Sequence, residues 1–155
     1  MTSTNVPGST APASGAAAGG RTTAVHRVSV LLYSDDITTR DAVRAAAGRR
    51  PARDVEVVRW HECATAPAVV EAMDAGGYDV VVLDGEAAPV GGLGLCRQLK
   101  NEIFECPPVL VLIGRVQDAW LAAWSLADEV VPHPLDPIQM AEAVATLART
   151  RSAAA

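Results

Sequence analysis

The fold of this chain is decided by the stretch Tyr78-Asp79-Val80-Val81-Val82-Leu83-Asp84-Gly85-Glu86, residues 78–86. Its four consecutive apolar residues, bounded by acidic ones, are typical of a short strand that is buried on both faces. The strand ends at Asp84, and Pro89 and the glycines at 91–92 then interrupt regular backbone structure. Parallel sheets covered by helices contain such strands, and they bind ligands at the carboxyl ends of their strands. Asp84 is therefore the first candidate for a functional residue.

Length and composition predict one globular domain without a nucleic-acid partner. The chain has 155 residues, 50% of them hydrophobic, and a formal net charge of −5. The sequence contains no run of lysine and arginine that would form a basic stripe for nucleic acid. Its three cysteines, an odd number without metal-ligand spacing, indicate a reducing compartment. Because no apolar segment reaches the ~20 residues that span a bilayer and no signal sequence is present, we expect a cytoplasmic protein without direct membrane insertion.

The first residues differ in composition from the rest of the chain. Nearly all of residues 1–24 are Ala, Thr, Gly, Ser or Pro. Such residues bury too little apolar surface to offset the entropy lost on ordering. We therefore predict a disordered N-terminal tail at 1–24, one folded domain at 25–150 and a short C-terminal tail at 151–155.

From residue 26 onward, strand patterns alternate with helix patterns. The predicted strands are 28–33, 55–60, 78–83, 109–113 and 129–131; the predicted helices are 38–47, 68–73, 93–103, 117–127 and a last one that begins at Asp136-Pro137. This alternation predicts the α/β class, with five helices covering both faces of a five-stranded parallel sheet in a three-layer sandwich. Right-handed crossovers favour the flavodoxin-like strand order 2-1-3-4-5 for a chain of this size.

Acidic residues follow the first and the third predicted strands, which are neighbours in that order. Asp35 and Asp36 come after the first strand, and Asp84 and Glu86 come after the third. Because the carboxyl ends of parallel strands meet at one edge, Asp35 and Asp36 are expected to face Asp84 across a crevice. Carboxylate oxygens in such a place can hold Mg²⁺. The alternative is a structural role for Asp84, as an acid that caps its own loop.

Residues 26–150, with these acids at the strand ends, resemble the receiver domains of two-component response regulators. In that family two acids hold Mg²⁺ beside an aspartate that accepts a phosphoryl group. A hydroxyl after the fourth strand and a Lys-Pro pair after the fifth contact the phosphoryl oxygens. The resemblance implies that Asp84 occupies the phosphoacceptor position. It also implies a metal set of Asp35, Asp36, Asp84 and Glu86.

The sequence departs from the receiver pattern at three switch positions. Ser34 replaces one acid of the pair, Ile113 occupies the hydroxyl position, and His133 replaces the lysine. Isoleucine cannot hydrogen-bond a phosphoryl oxygen, and histidine is too short to replace the point charge of lysine. Phosphoryl transfer depends on positioning and charge neutralisation, so we interpret the metal set as weak and degenerate.

These departures favour a pseudo-receiver, a receiver-fold protein that acts without phosphorylation and is not an enzyme. It would need no cofactor. In the alternative, the chain is a stand-alone response regulator that accepts a phosphoryl group on Asp84 and uses Mg²⁺. A ligand sensor built around His133 is a third possibility, without residue-level support.

Residues 119–126 are apolar nearly all round the predicted fourth helix. Trp120 and Trp124 lie one helical turn apart on the same face. They either fill the core over the fourth strand or, together with Leu121, form a partner interface, where tryptophan is often a hot spot.

A narrower resemblance is carried by segments 76–89, 106–115, 120–125 and 131–137. They are similar to orphan single-domain receiver-like proteins of mycobacteria and related actinobacteria, which lack a DNA-binding output domain. Members of that group are linked to the respiratory NADH:quinone oxidoreductase, complex I, as an attached accessory protein. The resemblance therefore implies a non-catalytic accessory subunit on the cytoplasmic arm of complex I, held through the fourth-helix face or the N-terminal tail.

Overall fold

Five parallel strands form one sheet in the order β2-β1-β3-β4-β5 in the computed structural model, which describes residues 24–154. The strands are β1 (His26–Tyr33), β2 (Val55–Cys63), β3 (Val80–Asp84), β4 (Val109–Ile113) and β5 (Glu129–Pro132). The helices are α1 (Ile37–Ala47), α2 (Ala66–Ala75), α3 (Gly92–Glu102), α4 (Ala119–Ser125) and α5 (Pro137–Ala154), with a 3-10 turn at Val116–Asp118 before α4. The predicted fold class and strand order are confirmed.

The core lies on both faces of the sheet, because successive strand residues point to opposite sides. Val80 and Val82 of β3 pack in a cluster with residues of α1 and α5. Val81 and Leu83 pack in a second cluster with residues of α2 and α3. All residues of β3 and β4 are buried, which explains why these strands are continuous apolar runs.

The helix boundaries follow local capping signals. Thr65 accepts a hydrogen bond from the Ala68 N–H and starts α2 earlier than predicted. The last helix extends to Ala154, so residues 151–154 continue it and do not form the predicted C-terminal tail. The predicted N-terminal tail lies outside the described residues except for its last one. Between residues 24 and 154, no helix is both long and apolar enough to cross a bilayer.

One ion pair fastens the second half of α5 to the start of β2. Two nitrogens of Arg149 donate to the Asp54 carboxylate, at 2.6 and 2.8 Å. The hydrogen bonds from Arg149 lower the pKa of Asp54 to about 2. Because the pair is exposed to solvent, it contributes little to stability compared with the two core clusters.

Candidate functional site

Asp84 lies at the carboxyl end of β3, and a serine faces it across the crevice. Its side chain is buried, and Ser34 Oγ donates to Asp84 Oδ2 at 2.8 Å. The backbone N–H of Glu86 donates to Asp84 Oδ1 at 2.9 Å. Ser34 is also buried, and its Oγ accepts a hydrogen bond from the Asp36 N–H at 3.1 Å. Both carboxylate oxygens of Asp84 are therefore hydrogen-bonded inside the protein.

The carboxylates of Asp35 and Asp36 each accept a hydrogen bond from a backbone N–H group. The Asp36 carboxylate caps α1 and accepts a hydrogen bond from the Thr38 N–H at 2.9 Å. The first N–H groups of a helix lack backbone partners, so they attract a nearby carboxylate. Asp35 is exposed and accepts a hydrogen bond from the Ala88 N–H at 3.2 Å. Both acids are therefore held by backbone hydrogen bonds, and their approach to Asp84 stays a prediction.

The fourth candidate metal ligand, Glu86, is hydrogen-bonded to a different loop. Its Oε1 accepts a hydrogen bond from the Gly114 N–H, at 3.1 Å, in the loop that follows β4. Within residues 24–154, the side chains of His, Cys, Asp and Glu form no group of three or more that could hold a metal ion. The crevice residues therefore do not fit the Mg²⁺ site that the resemblance implies.

The other two switch positions contribute no close polar contact to Asp84. Ile113 ends β4 and packs its side chain into the core on the α2 and α3 side. His133 Nε2 lies 3.9 Å from Asp84 Oδ1, which is beyond hydrogen-bond distance. The His133 backbone N–H bonds the Ile113 carbonyl at 2.8 Å, and this bond fixes the β5–α5 loop beside the crevice.

Two residues that the sequence analysis did not select complete the crevice. Arg40 Nη1 donates to the Ser34 carbonyl at 2.7 Å, and Arg40 Nε donates to Glu62 at 3.2 Å. Tyr33 donates its hydroxyl to the Val90 carbonyl at 2.6 Å. Burial raises the pKa of Tyr33, and the charges of Asp35 and Asp84 raise it further. The sheet order could have indicated Arg40, since α1 and the end of β2 flank the end of β1.

Exposed apolar side chains line up on α4 and the turn before it, while others, including Phe104, are scattered over the rest of the surface. Val116 and Trp120 are each 70% exposed, and Trp124 is 51% exposed. We refer to these three residues, spaced four apart, as the α4 stripe. The buried side of the helix consists of Ala122 and Ser125, and Leu121 is half-buried. The tryptophans therefore do not fill the core.

Basic side chains border the α4 stripe at both ends. The guanidinium group of Arg97, from α3, lies 4.9 Å from the centre of the Trp124 ring, and it donates to the Trp124 carbonyl. Arg115 precedes the stripe and is largely exposed, with Asp118 at 3.8 Å. The apolar surface of the stripe is thus flanked by two arginines.

Comparisons with known proteins agree with the fold. No family model matches the sequence. Two relatives, both called uncharacterized response regulatory proteins, come from Mycobacterium tuberculosis strains CDC 1551 / Oshkosh and H37Rv. Each is 49% identical over 120 residues, which is 77% of this chain and 90% of the relative.

Solved structures similar to this chain include two receiver domains. The receiver domain of the Francisella response regulator 1452 matches with a TM-score of 0.64 and 16% identity. The BeF3-activated DrrB receiver domain matches with a TM-score of 0.60 and 18% identity. Each alignment covers 79% of this chain and 98% of the other. At such low identity, these matches concern the fold alone.

Proposed function

Because this chain belongs to the response-regulator family, we propose that it is a pseudo-receiver, a non-catalytic interaction protein that acts without phosphorylation. The hydrogen bond from Ser34 to Asp84 carries this proposal. This bond engages the carboxylate that would have to attack a phosphoryl group. Its donor, Ser34, lies at the position where the family has a metal-binding acid. The nearby guanidinium of Arg40 is already bonded to Ser34 and Glu62. The charge of a phosphoryl transition state would therefore find little compensation here.

The α4 stripe is the contact surface in this proposal, with Leu121 at its margin. Trp120 and Trp124 together expose roughly 240 Å² of surface, since a tryptophan side chain presents on the order of 200 Å². Covering this area would contribute about 6 kcal/mol before the costs of association are subtracted. Two adjacent tryptophans are thus sufficient for a hot spot, whereas scattered exposed aliphatic residues are not.

We assign the partner as the cytoplasmic arm of respiratory complex I. This assignment is supported by the narrow resemblance of segments 76–89, 106–115, 120–125 and 131–137 to orphan receiver-like proteins linked to that enzyme. The segment 120–125 contains both tryptophans of the α4 stripe. The N-terminal residues 1–24 offer a second possible contact. Either contact would attach the chain to a membrane complex through protein alone.

Affinity purification of the tagged chain from native membranes tests this function. We expect mass spectrometry to recover subunits of complex I in constant proportion to the bait. The yield should be similar at low and moderate salt, because salt screens charge pairs but leaves an apolar contact largely intact. Recovery of a kinase alone, or of no partner, would contradict the assignment.

The second candidate function is a phosphoryl-accepting switch, and the position of Asp84 favours it. Asp84 ends β3 in the crevice, and the M. tuberculosis relatives are named response regulatory proteins. That function requires a Mg²⁺-dependent phosphoryl adduct that Asp84→Asn abolishes. We expect no adduct, because Ser34 holds the carboxylate and the acids needed for the metal are engaged in other hydrogen bonds. Incubation with an acyl phosphate and millimolar Mg²⁺, followed by intact mass measurement, decides between the two.

A matched variant keeps this measurement specific. Asp74 is an exposed aspartate on α2, so Asp74→Asn should leave a phosphoryl adduct on Asp84 unchanged. An adduct that disappears in Asp84→Asn and persists in Asp74→Asn would replace the pseudo-receiver with a phosphorylated switch.

A further inference from the structure

We propose that Glu86 is a positioning residue whose carboxylate latches the β4–α4 loop to the crevice and thereby holds the α4 stripe in place. This inference deepens the proposed function and rests on it in one respect, that the α4 stripe is the binding surface. The hydrogen bond made by Glu86 is present in the unmodified chain, so it would hold the α4 stripe in place without phosphorylation.

The latch lies where the β3–α3 loop meets the end of β4. The Gly85 N–H donates to the Leu112 carbonyl at 2.8 Å, and Glu86 Oε1 accepts from the Gly114 N–H at 3.1 Å. Gly114 precedes Val116, the first residue of the α4 stripe, by two positions. The side chain of Glu86 therefore joins the segment that carries Asp84 to the segment that begins the stripe.

Gly114 leaves the space that this carboxylate fills. A Cβ atom added at Gly114 would lie 2.4 Å from Glu86 Oε1 and 2.7 Å from Glu86 Cδ. Atoms cannot approach so closely without displacement. A side chain at position 114 would therefore displace the Glu86 carboxylate, which is exposed and free to move, and would break the hydrogen bond. A charged acceptor strengthens that bond relative to a neutral one.

The helix that the latch positions is short and packs mainly against α3. It contains seven residues, and its buried side consists of Ala122 and Ser125. These small side chains bury little apolar surface, and a helix this short is not stable by itself. At its C-terminal end, Arg97 holds the Trp124 carbonyl. Arg97 therefore anchors the C-terminal end of α4, and Glu86 fastens the loop that leads towards its N-terminal end.

Hydrogen exchange in the free, full-length chain tests the latch. In Glu86→Ala, amides of residues 114–125 should exchange at least about tenfold faster, with the sheet, α1 and α5 unchanged. Gly114→Ala should have the same effect, because its methyl group displaces the carboxylate. Glu86→Gln retains an acceptor oxygen without the charge and should be intermediate. Glu71→Ala, at an exposed glutamate of α2, is the matched control and should behave as wild type.

Added acetate separates a latch from a packing effect. In Glu86→Ala, acetate should restore protection of residues 114–125, whereas chloride at equal ionic strength should not. Unchanged exchange in both Glu86→Ala and Gly114→Ala would overturn the proposal. Equal acceleration throughout the chain, or a local acceleration that acetate leaves unaltered, would also overturn it.

The exchange experiment contains no partner, so its outcome is independent of the purification from membranes. Local acceleration with acetate rescue, combined with failure to recover any assembly, would retain the latch and reject the proposed function. Recovery of the assembly with unchanged exchange would retain the function and reject the latch.

Discussion

Trp124→Asp should weaken capture of the partner assembly at least about thirtyfold, the effect of removing a hot-spot residue. The indole is 51% exposed and rests against the guanidinium of Arg97, so the free chain loses little packing. In the complex, however, the aspartate would bring an unpaired charge into an apolar contact, which is costly. The measurement is quantitative recovery of the partner at equal bait concentration. The unfolding midpoint of the variant should remain close to that of wild type.

Ile37→Asp provides the control for this substitution. Ile37 is 61% exposed in the first turn of α1, on the other side of the molecule from α4. An acidic residue is favourable at a helix N-terminus, so this variant keeps the fold and should keep the partner. Equal loss of capture in both variants, or undiminished capture by Trp124→Asp, would remove the α4 stripe as the contact surface.

Gly85→Ala should destabilise the fold by about 2–4 kcal/mol, combining overpacking with a damaged hydrogen bond. A Cβ atom at this position would lie 2.3 Å from the Leu112 carbonyl oxygen, the same atom that accepts the Gly85 N–H. Because that oxygen belongs to the backbone of a central strand, it cannot move aside without disturbing β4. Urea denaturation followed by circular dichroism measures the change, which is a large part of the stability of a small domain.

Gly94→Ala is the matched comparison within the same segment of the chain. Gly94 lies in α3, and a Cβ atom there would meet no other atom within 4 Å. Alanine in an open helical position should stabilise the fold by about 0.5–1 kcal/mol. Opposite signs for the two variants support the close approach of Gly85 to β4. A change of less than about 1 kcal/mol in Gly85→Ala would contradict it, since overpacking of a central strand costs more.

The architecture could be predicted because its central strands carry a strong signal. β3 and β4 are short apolar runs, and burial on both faces requires that pattern. The fourth helix could not be placed in the same way. Its apolar sequence left open whether the tryptophans fill the core or face a partner, and the helix is shorter than predicted because Leu126 adopts a left-handed conformation and ends it at Ser125. Glycine usually occupies that position, so the early helix end could not be predicted from a leucine there.

For the candidate site, only the residues placed directly by the end of a strand could be predicted from the sequence. The position of Asp84 follows from the end of β3, and this prediction agrees with the structure. The direction of Asp36 depends on a competition between helix capping and the crevice, and capping prevails. The pairing of Glu86 with Gly114 joins residues 28 apart in the sequence, across two loops. No local pattern encodes such a contact.

The hydrogen bond between Ser34 and Asp84 has a consequence for how the amount of this protein matters in the cell. In the proposed function, the α4 stripe is always accessible, so no covalent modification switches binding off. The occupancy of the partner then depends on the free concentration of this protein. Half the binding sites are filled when that concentration equals Kd, and about nine-tenths at ten times that value. Synthesis and degradation, in place of a kinase, would set the response.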